Sequence, residues 1–180
     1  MDIYKLKFTR LQLEIFRLFC VKTGQSLNQR QIARLLGVTP TAIAKALPLL
    51  EQERIIKIIR GTTNLNLVLL NRDFQHVLEL KRIENLQLLF ESGLPAFLEE
   101  TFPACTILLF GSYARGDDLS TSDIDIAVIG IDSKKINLAP YQKKLEKEIR
   151  INYYFELKGI NPHLKANLYN GFLLAGGIER

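Results

Sequence analysis

The strongest constraint on the fold lies between residues 104 and 130, where two apolar runs enclose a polar segment. The first run, ACTILLF, ends at Gly111, and the second, DIDIAVIG, begins with two aspartates one residue apart. Asp and Gly are poor strand formers, so the needs of a sheet do not explain them. Residues that break local folding rules are where a functional site is expected. The segment therefore predicts two neighbouring strands that carry a site.

The two aspartates are expected to act together. Residues i and i+2 of a strand project from the same face, so Asp123 and Asp125 would stand side by side. Two adjacent carboxylates repel each other when both are ionised. A divalent cation removes this repulsion, and Mg²⁺ held by carboxylates usually also holds a substrate phosphate. The pair therefore predicts a Mg²⁺ site.

The Gly-Ser turn between the runs predicts an anion site. Gly111 lets the backbone approach a phosphate closely, and Ser112 supplies a hydroxyl donor. If a helix begins at Tyr113 to Arg115, its free N–H groups point at the same anion. We therefore predict nucleotide-binding roles for Gly111, Ser112 and Arg115. An anion cradle beside a cation-binding pair indicates a metal-bound nucleoside triphosphate.

At these residues the chain resembles the polymerase-β-like nucleotidyltransferases, especially the small minimal nucleotidyltransferases. The family pattern is an apolar strand, Gly-Ser, a spacer, and then acid-apolar-acid-apolar. Here Gly111-Ser112 is followed by ten residues and then by Asp123-Ile124-Asp125-Ile126. The resemblance implies an α/β domain with a mixed sheet that transfers a nucleoside monophosphate from a triphosphate to an acceptor hydroxyl on a protein or nucleic acid. It also implies that Asp123 and Asp125 are catalytic Mg²⁺ ligands, with two ions in a fully active enzyme and one otherwise.

The family needs a third carboxylate on a later strand, and here the chain departs from the pattern. The candidate strand is EIRINYYFEL, whose polar face carries Glu148, Arg150, Asn152, Tyr154 and Glu156. We place Asn152 at the central position as the third metal ligand, which can donate an oxygen but cannot accept a proton from the nucleophile. A different register would bring Glu148 or Glu156 into the site. Two alternatives stay open: an active transferase, and a catalytically degenerate nucleotide-binding domain.

The first part of the chain carries a helical pattern followed by a hairpin. An apolar stripe from Thr9 to Lys22 predicts one helix, Asn28 caps a second, and Thr39 caps a third that has Pro40 at its first position. Two β-rich runs follow, RIIKIIR and LNLVLL, with GTTN between them as the turn. Across about residues 8–70, and most clearly in QRQIARLLGVTPTAIAKALPLLEQERIIKII, the chain resembles the winged helix-turn-helix family.

This resemblance implies DNA binding through residues 28–64, with the third helix in the major groove and the hairpin tip on the backbone. It assigns DNA contacts to Thr39, Thr41 and Lys45 on the third helix and to Arg60 on the wing. The wing would also include Thr62, Thr63 and Asn64. A winged helix that docks a protein or forms a dimer is the alternative.

Charge and composition favour two modules in one α+β chain. Residues 1–83 carry 14 Lys and Arg against 6 Asp and Glu, whereas residues 84–180 carry 10 against 13. The basic part favours a polyanionic partner. We expect a winged helix-turn-helix domain at 1–70, a connecting helix at 71–92 and a nucleotidyltransferase-like domain at 93–180. The runner-up function is a DNA-binding transcriptional regulator whose second domain binds nucleotide without transferring it.

The cysteine count, the apolar runs and the charged start of the chain indicate its cellular compartment. The chain has two cysteines and no apolar run near the ~20 residues of a membrane span. A charged start, MDIYKLKFTR, does not read as a signal peptide. We expect reduced thiols, a cytoplasmic location and no membrane partner. A homodimer is left open.

Overall fold

The computed structural model describes residues 8–61 and 66–177, which form two compact units. The first unit is Met1–Val77 and the second is Leu78–Arg180. The predicted wing residues Thr62, Thr63 and Asn64 lie outside the described residues. Each unit has its own sheet.

The first unit is a winged helix. A three-stranded antiparallel sheet in the order β1-β3-β2 accompanies three helices, and β2 and β3 form the expected hairpin. The two-residue strand β1 was not predicted, because it is too short to show an alternating pattern. The elements are α1 (Arg10–Val21), β1 (Leu27–Asn28), α2 (Gln29–Leu36), α3 (Pro40–Gln52), β2 (Ile56–Arg60) and β3 (Asn66–Leu70).

Side-chain caps fix where these helices begin. Thr9, Asn28 and Thr39 each accept a hydrogen bond from the backbone N–H three residues on, which satisfies a donor that the helix itself cannot. Gly37 ends α2 in the left-handed conformation at φ +66°, and the axes of α2 and α3 differ by 108°. The helix-turn-helix therefore follows from local sequence signals. The unit closes around buried apolar side chains: Ile15, Phe19, Ile32, Ile43, Leu47, Leu50, Ile55 and Val68.

The second unit contains a four-stranded mixed sheet in the order β6-β5-β4-β7. Strand β5 pairs in parallel with β6, while β4 pairs antiparallel with both β5 and β7. The predicted mixed sheet is confirmed. The elements are α4 (Gln75–Ser92), which begins at the end of the first unit, α5 (Leu94–Thr101), β4 (Thr106–Phe110), α6 (Gly111–Arg115), β5 (Ile124–Ile129), α7 (Ala139–Leu145), β6 (Ile149–Tyr154), α8 (Pro162–Tyr169) and β7 (Phe172–Ala175).

Helix α4 packs closely against the turn that follows β4. The Asn85 amide donates to the Tyr113 carbonyl at 2.9 Å, and the Tyr113 hydroxyl donates to the Asn85 carbonyl at 3.0 Å. A Cβ added at Gly116 would lie 2.4 Å from the Leu78 carbonyl oxygen, so only glycine allows this approach. From Leu78 onward, α4 is thus part of the second unit's structure.

A buried charged cluster holds the loop that leads to Asp123. The Asp118 carboxylate is fully buried and pairs with Lys81, which is also fully buried, and with Lys147 at 3.1 Å. The Asn85 amide donates to the same carboxylate at 2.8 Å. Lys147 also donates to the carbonyls of Leu119 and Ser122, which ties the end of the loop to the cluster.

Within the described residues, no single helix has both the length and the apolar character to cross a membrane. The helices Gln29–Leu36 and Pro40–Gln52 meet those two criteria only as a bent pair. The buried faces of this pair supply part of the first unit's core.

We expect Asp118→Asn to lower the free energy of unfolding by about 3 kcal/mol, because two buried ammonium groups lose the countercharge that they share. Chemical denaturation of the full chain measures the change. Asp132→Asn, on an exposed loop, is the control and should change the value by less than about 0.5 kcal/mol. Equal effects of the two substitutions would contradict a structural role for the cluster.

Candidate active site

Strand register brings the glycine turn against the second aspartate. Strands β4 and β5 pair with Phe110 opposite Asp125, so the next residue, Gly111, lies at the same end of the sheet. A Cβ built on Gly111 would lie 2.6 Å from Oδ2 of Asp125. Gly111 also has φ +77°, a conformation that L side chains rarely adopt. Glycine is therefore required here both for the turn and for its approach to the carboxylate.

The charges of three neighbouring side chains act on Asp125. Burial raises the pKa of Asp125, and the charge of Asp123 raises it further. Arg150 and Arg115 oppose this and lower the same pKa. Both predicted acids thus lie with the glycine turn and two guanidinium groups at one end of β5.

The residue beside the acid pair on the neighbouring strand is Arg150. In the parallel pairing of β5 with β6, Asp125 is opposite Arg150 and Ala127 is opposite Asn152. Nη2 of Arg150 lies 2.8 Å from Oδ2 of Asp123. The side-chain nitrogen of Asn152 lies 3.5 Å from the Ile126 carbonyl oxygen.

The pairing gives the positions of the candidate third ligands relative to Asp125. Asn152 is two residues further along β6 than the position opposite Asp125, and neither Glu148 nor Glu156 is paired with that acid. The register follows from the apolar residues, since Ile149 and Ile151 pair with Ile124 and Ile126 on the buried face. A metal-binding role for Asn152 stays a prediction.

The predicted phosphate-binding residues lie on one short turn. Gly111, Ser112 and Arg115 all belong to α6, a five-residue helix that Gly116 ends in the left-handed conformation. The Arg115 guanidinium pairs with Asp117 at 3.2 Å and still acts on Asp125. So short a helix contributes little dipole, so the backbone and side chains of the turn would carry anion binding.

Tyr154 is a further member of this face of the sheet. Burial raises the pKa of its phenol, and the charge of Asp125 raises it further. The sequence placed Tyr154 and Arg150 on the polar face of their strand but indicated no role for either. Alternation alone identifies that face, but it does not say which of its residues stands opposite an acid on another strand.

A polar cavity of about 490 Å³ opens beside Asp123. Hydroxyl groups of the loop before the acid pair line one side, and α7 and the start of β6 line the other. The residues are Ser120, Thr121, Ser122, Asp123, Ala139, Gln142, Lys143, Glu146, Lys147 and Glu148.

Asp123 and Asp125 supply carboxylate oxygens of the kind that divalent cations bind. In the part of the chain that the structure describes, no group of three or more His, Cys, Asp or Glu side chains could hold a metal. Two carboxylates are present, and one of them is already paired with a guanidinium. A two-metal centre would need ligands beyond these two carboxylates.

The predicted DNA contacts of the first unit are distributed over two elements. Thr41 and Lys45 are exposed on α3. Thr39 is exposed as well, with its hydroxyl accepting from the Ala42 N–H at 3.2 Å. Arg60 donates to both carboxylate oxygens of Glu51, at 3.1 and 3.0 Å, which offsets its charge. Lys45 is therefore the better placed of the two predicted cations for binding a phosphate.

Comparison with known proteins identifies the second unit. Residues 92–174 match the nucleotidyltransferase domain family, NTP_transf_2. This part of the chain is therefore a nucleotidyltransferase domain, as its Gly-Ser turn and acid pair predicted. No curated protein sequence shows significant similarity to the chain.

Solved structures resemble the chain only weakly. A mutant of ZitR from Lactococcus lactis is 23% identical with a TM-score of 0.41, and the match covers 55% of this chain and 65% of that one, just under two thirds of its length. The adhesin competence repressor AdcR from Streptococcus pyogenes is 17% identical with a TM-score of 0.41, covering 57% and 74%. MepR of S. aureus, in a complex with DNA, is 17% identical with a TM-score of 0.38, covering 52% and 77%. The winged-helix fold of the first unit rests on its own element order and strand pairing.

We expect Asp125→Asn to raise the melting temperature at pH 7 by a few degrees. The pKa of Asp125 is raised in the folded protein, so the folded state binds this proton more tightly than the unfolded chain does. Its stabilising contribution is complete below the unfolded pKa and is lost as pH rises through the folded pKa. Thermal melts of both proteins between pH 4 and 8 should converge at the acid end. A melting temperature that falls at pH 7 would show that Asp125 has a structural role.

Proposed function

We propose that the second unit binds a nucleoside triphosphate with one Mg²⁺ and transfers its nucleoside monophosphate to an acceptor hydroxyl. The observation that carries this proposal is the contact between Gly111 and the Asp125 carboxylate. It brings a turn suited to phosphate and a pair of acids suited to a cation to one end of the sheet. The acceptor would be a hydroxyl on a protein or a nucleic acid.

Each residue then has a defined task. Gly111 lets the turn lie against Asp125, and Ser112 donates its hydroxyl to a phosphate oxygen. Arg115 and Arg150 reduce the repulsion between the phosphates and the two carboxylates, since both already lower the pKa of Asp125. Asp123 and Asp125 hold the Mg²⁺, which neutralises charge on the triphosphate when bound. The hydroxyl-lined cavity beside Asp123 offers space for the acceptor.

The position of Arg150 favours a second candidate function. Arg remains protonated in proteins and cannot take a proton from the acceptor hydroxyl as a carboxylate would. A domain with two acids can therefore bind nucleotide and turn it over slowly or not at all. The protein would then be a DNA-binding transcriptional regulator that senses a nucleotide. Product formation separates the two candidates.

For the first unit we propose DNA binding with α3 in the major groove. Its support is the helix-turn-helix geometry, the exposed Thr41 and Lys45, and the excess of basic residues in this part of the chain. Thr39 and Arg60 would add contacts at the start of α3 and on the wing. Helix-turn-helix domains commonly bind paired half-sites as dimers, so a homodimer belongs to this proposal.

A cytoplasmic location completes the proposal. Cys20 and Cys105 are both buried, and in this compartment they would stay reduced. DNA and nucleoside triphosphates would both be present there.

We expect label from an α-³²P nucleoside triphosphate to appear on an acceptor when the full chain is incubated with Mg²⁺ and cell extract. Asp123→Asn and Asp125→Asn should each reduce transfer by at least about a hundredfold, because each removes a carboxylate that holds the cation. Asp132→Asn, on an exposed loop, is the control and should transfer label normally. All four nucleotides should be tested in parallel.

The outcomes distinguish the candidates. Label transfer that depends on both acids supports the transferase. Calorimetric binding of nucleotide without transfer supports the regulator. Absence of both binding and transfer at millimolar nucleotide would contradict a nucleotide site at this turn.

We expect Lys45→Ala to weaken DNA binding uniformly across sequences and to reduce the slope of log affinity against log salt by about 1. Fluorescence anisotropy with a labelled duplex at several salt concentrations measures both quantities. Arg60→Ala should have a smaller effect, because Glu51 already offsets the charge of Arg60. Lys135→Ala, on an exposed loop of the second unit, is the control. Affinity unchanged by Lys45→Ala would favour a protein-docking winged helix.

A further inference from the structure

Arg150 occupies a position that the backbone pairing dictates. Its place opposite Asp125 follows from the parallel pairing of β5 and β6, which continues over six residue pairs. The guanidinium reaches Asp123 at 2.8 Å while the side chain remains 70% exposed. A cation therefore pairs with Asp123 and lies opposite Asp125, on the side of the site that β6 forms.

The chemistry of this group differs from that of a metal ligand. A guanidinium stays protonated and presents five N–H donors in a planar fork. One of its terminal nitrogens binds Asp123. The exposed remainder of the fork can donate to phosphate oxygens, for which its geometry is well matched. It thus supplies positive charge and phosphate binding at once, which are two tasks of a catalytic cation.

The charge balance of the site argues against a second divalent ion. Two carboxylates are already balanced in part by Arg150 and Arg115, both of which act on Asp125. One divalent cation would leave the site mildly positive, which suits a triphosphate. A second would be placed next to a guanidinium, and the described residues contain no group of three or more His, Cys, Asp or Glu side chains that could hold a metal.

We infer that Arg150 replaces the second metal ion of the nucleotidyltransferase site, binding both Asp123 and the triphosphate. The inference rests on the proposed nucleotide site and specifies how that site is charged. The protein binds a nucleoside triphosphate with one divalent cation per chain. It also retains weak, Arg150-dependent affinity for the triphosphate when no divalent cation is present.

Manganese titration tests the stoichiometry. The full chain is saturated with a non-hydrolysable ATP analogue, and bound Mn²⁺ is counted by electron paramagnetic resonance. One ion per chain is expected for the native protein. Arg150→Asp places a carboxylate opposite Asp125, and two ions per chain are expected for this variant. Two ions in the native protein, or one ion in the Arg150→Asp variant, would overturn the inference.

Nucleotide affinity in EDTA tests the phosphate contact. Arg150→Ala should weaken binding of the analogue about tenfold or more, as expected for the loss of a charge-assisted hydrogen bond. Arg150→Lys keeps the charge and should recover part of the affinity. Lys158→Ala, which removes an exposed cation after β6, is the matched control and should leave affinity unchanged. Thermal melts of each variant establish that it is folded.

The readings separate this inference from the proposed function. If the native protein binds no analogue with or without Mn²⁺, the nucleotide site itself is wrong and the inference fails with it. If the analogue binds with two Mn²⁺, or binds equally well to the Arg150→Ala variant in EDTA, the proposed function stands and the role of Arg150 is refuted. One Mn²⁺ together with Arg150-dependent binding supports both.

Discussion

The pairing of β5 with a strand on each side is the constraint on which the site depends. Its antiparallel partner β4 places Gly111 against the Asp125 carboxylate. Its parallel partner β6 places Arg150 opposite Asp125, with the guanidinium on Asp123. Hydrogen-bonded strands lie about 4.8 Å apart, so both neighbours are within reach of one side chain. A strand shifted by one residue would turn Asp125 into the apolar core. The buried Ile124, Ile126 and Val128 prevent that shift.

Helix α4 contacts both the turn that follows β4 and the loop that leads to Asp123. The reciprocal bonds between Asn85 and Tyr113 fix the turn, and the buried Asp118 cluster fixes the loop before Asp123. Such a cluster stabilises little by itself, because burying three charges has a large desolvation cost. The role of the cluster is to hold the loop before Asp123 in one conformation, since that loop contains no strand or helix. The polar network thereby positions an acid pair that is itself destabilising.

The residue opposite Asp125 on β6 is Arg150, and it sets the chemistry of that side of the site. A third carboxylate would add negative charge and a proton acceptor, whereas Arg150 adds a permanent positive charge and hydrogen-bond donors. Phosphate recognition is compatible with this exchange, but proton abstraction by the same residue is not. Burial raises the pKa of Asp125, and the neighbouring charge of Asp123 raises it further, while both guanidinium groups lower it. A cation beside them is therefore still favoured.

Local sequence patterns by themselves determined several features of this protein. The caps at Thr9, Asn28 and Thr39, the shared face of Asp123 and Asp125, and the turn at Gly111 are set by neighbours in sequence, because rotamers, backbone dihedrals and side-chain alternation are short-range properties. Tertiary structure decided which residue of β6 stands opposite Asp125. It also decided that Lys81 is buried against Asp118 and that α4 clamps the turn. These contacts join residues that are far apart in the chain. They depend on strand register and close packing, which cannot be predicted from the local pattern of apolar residues.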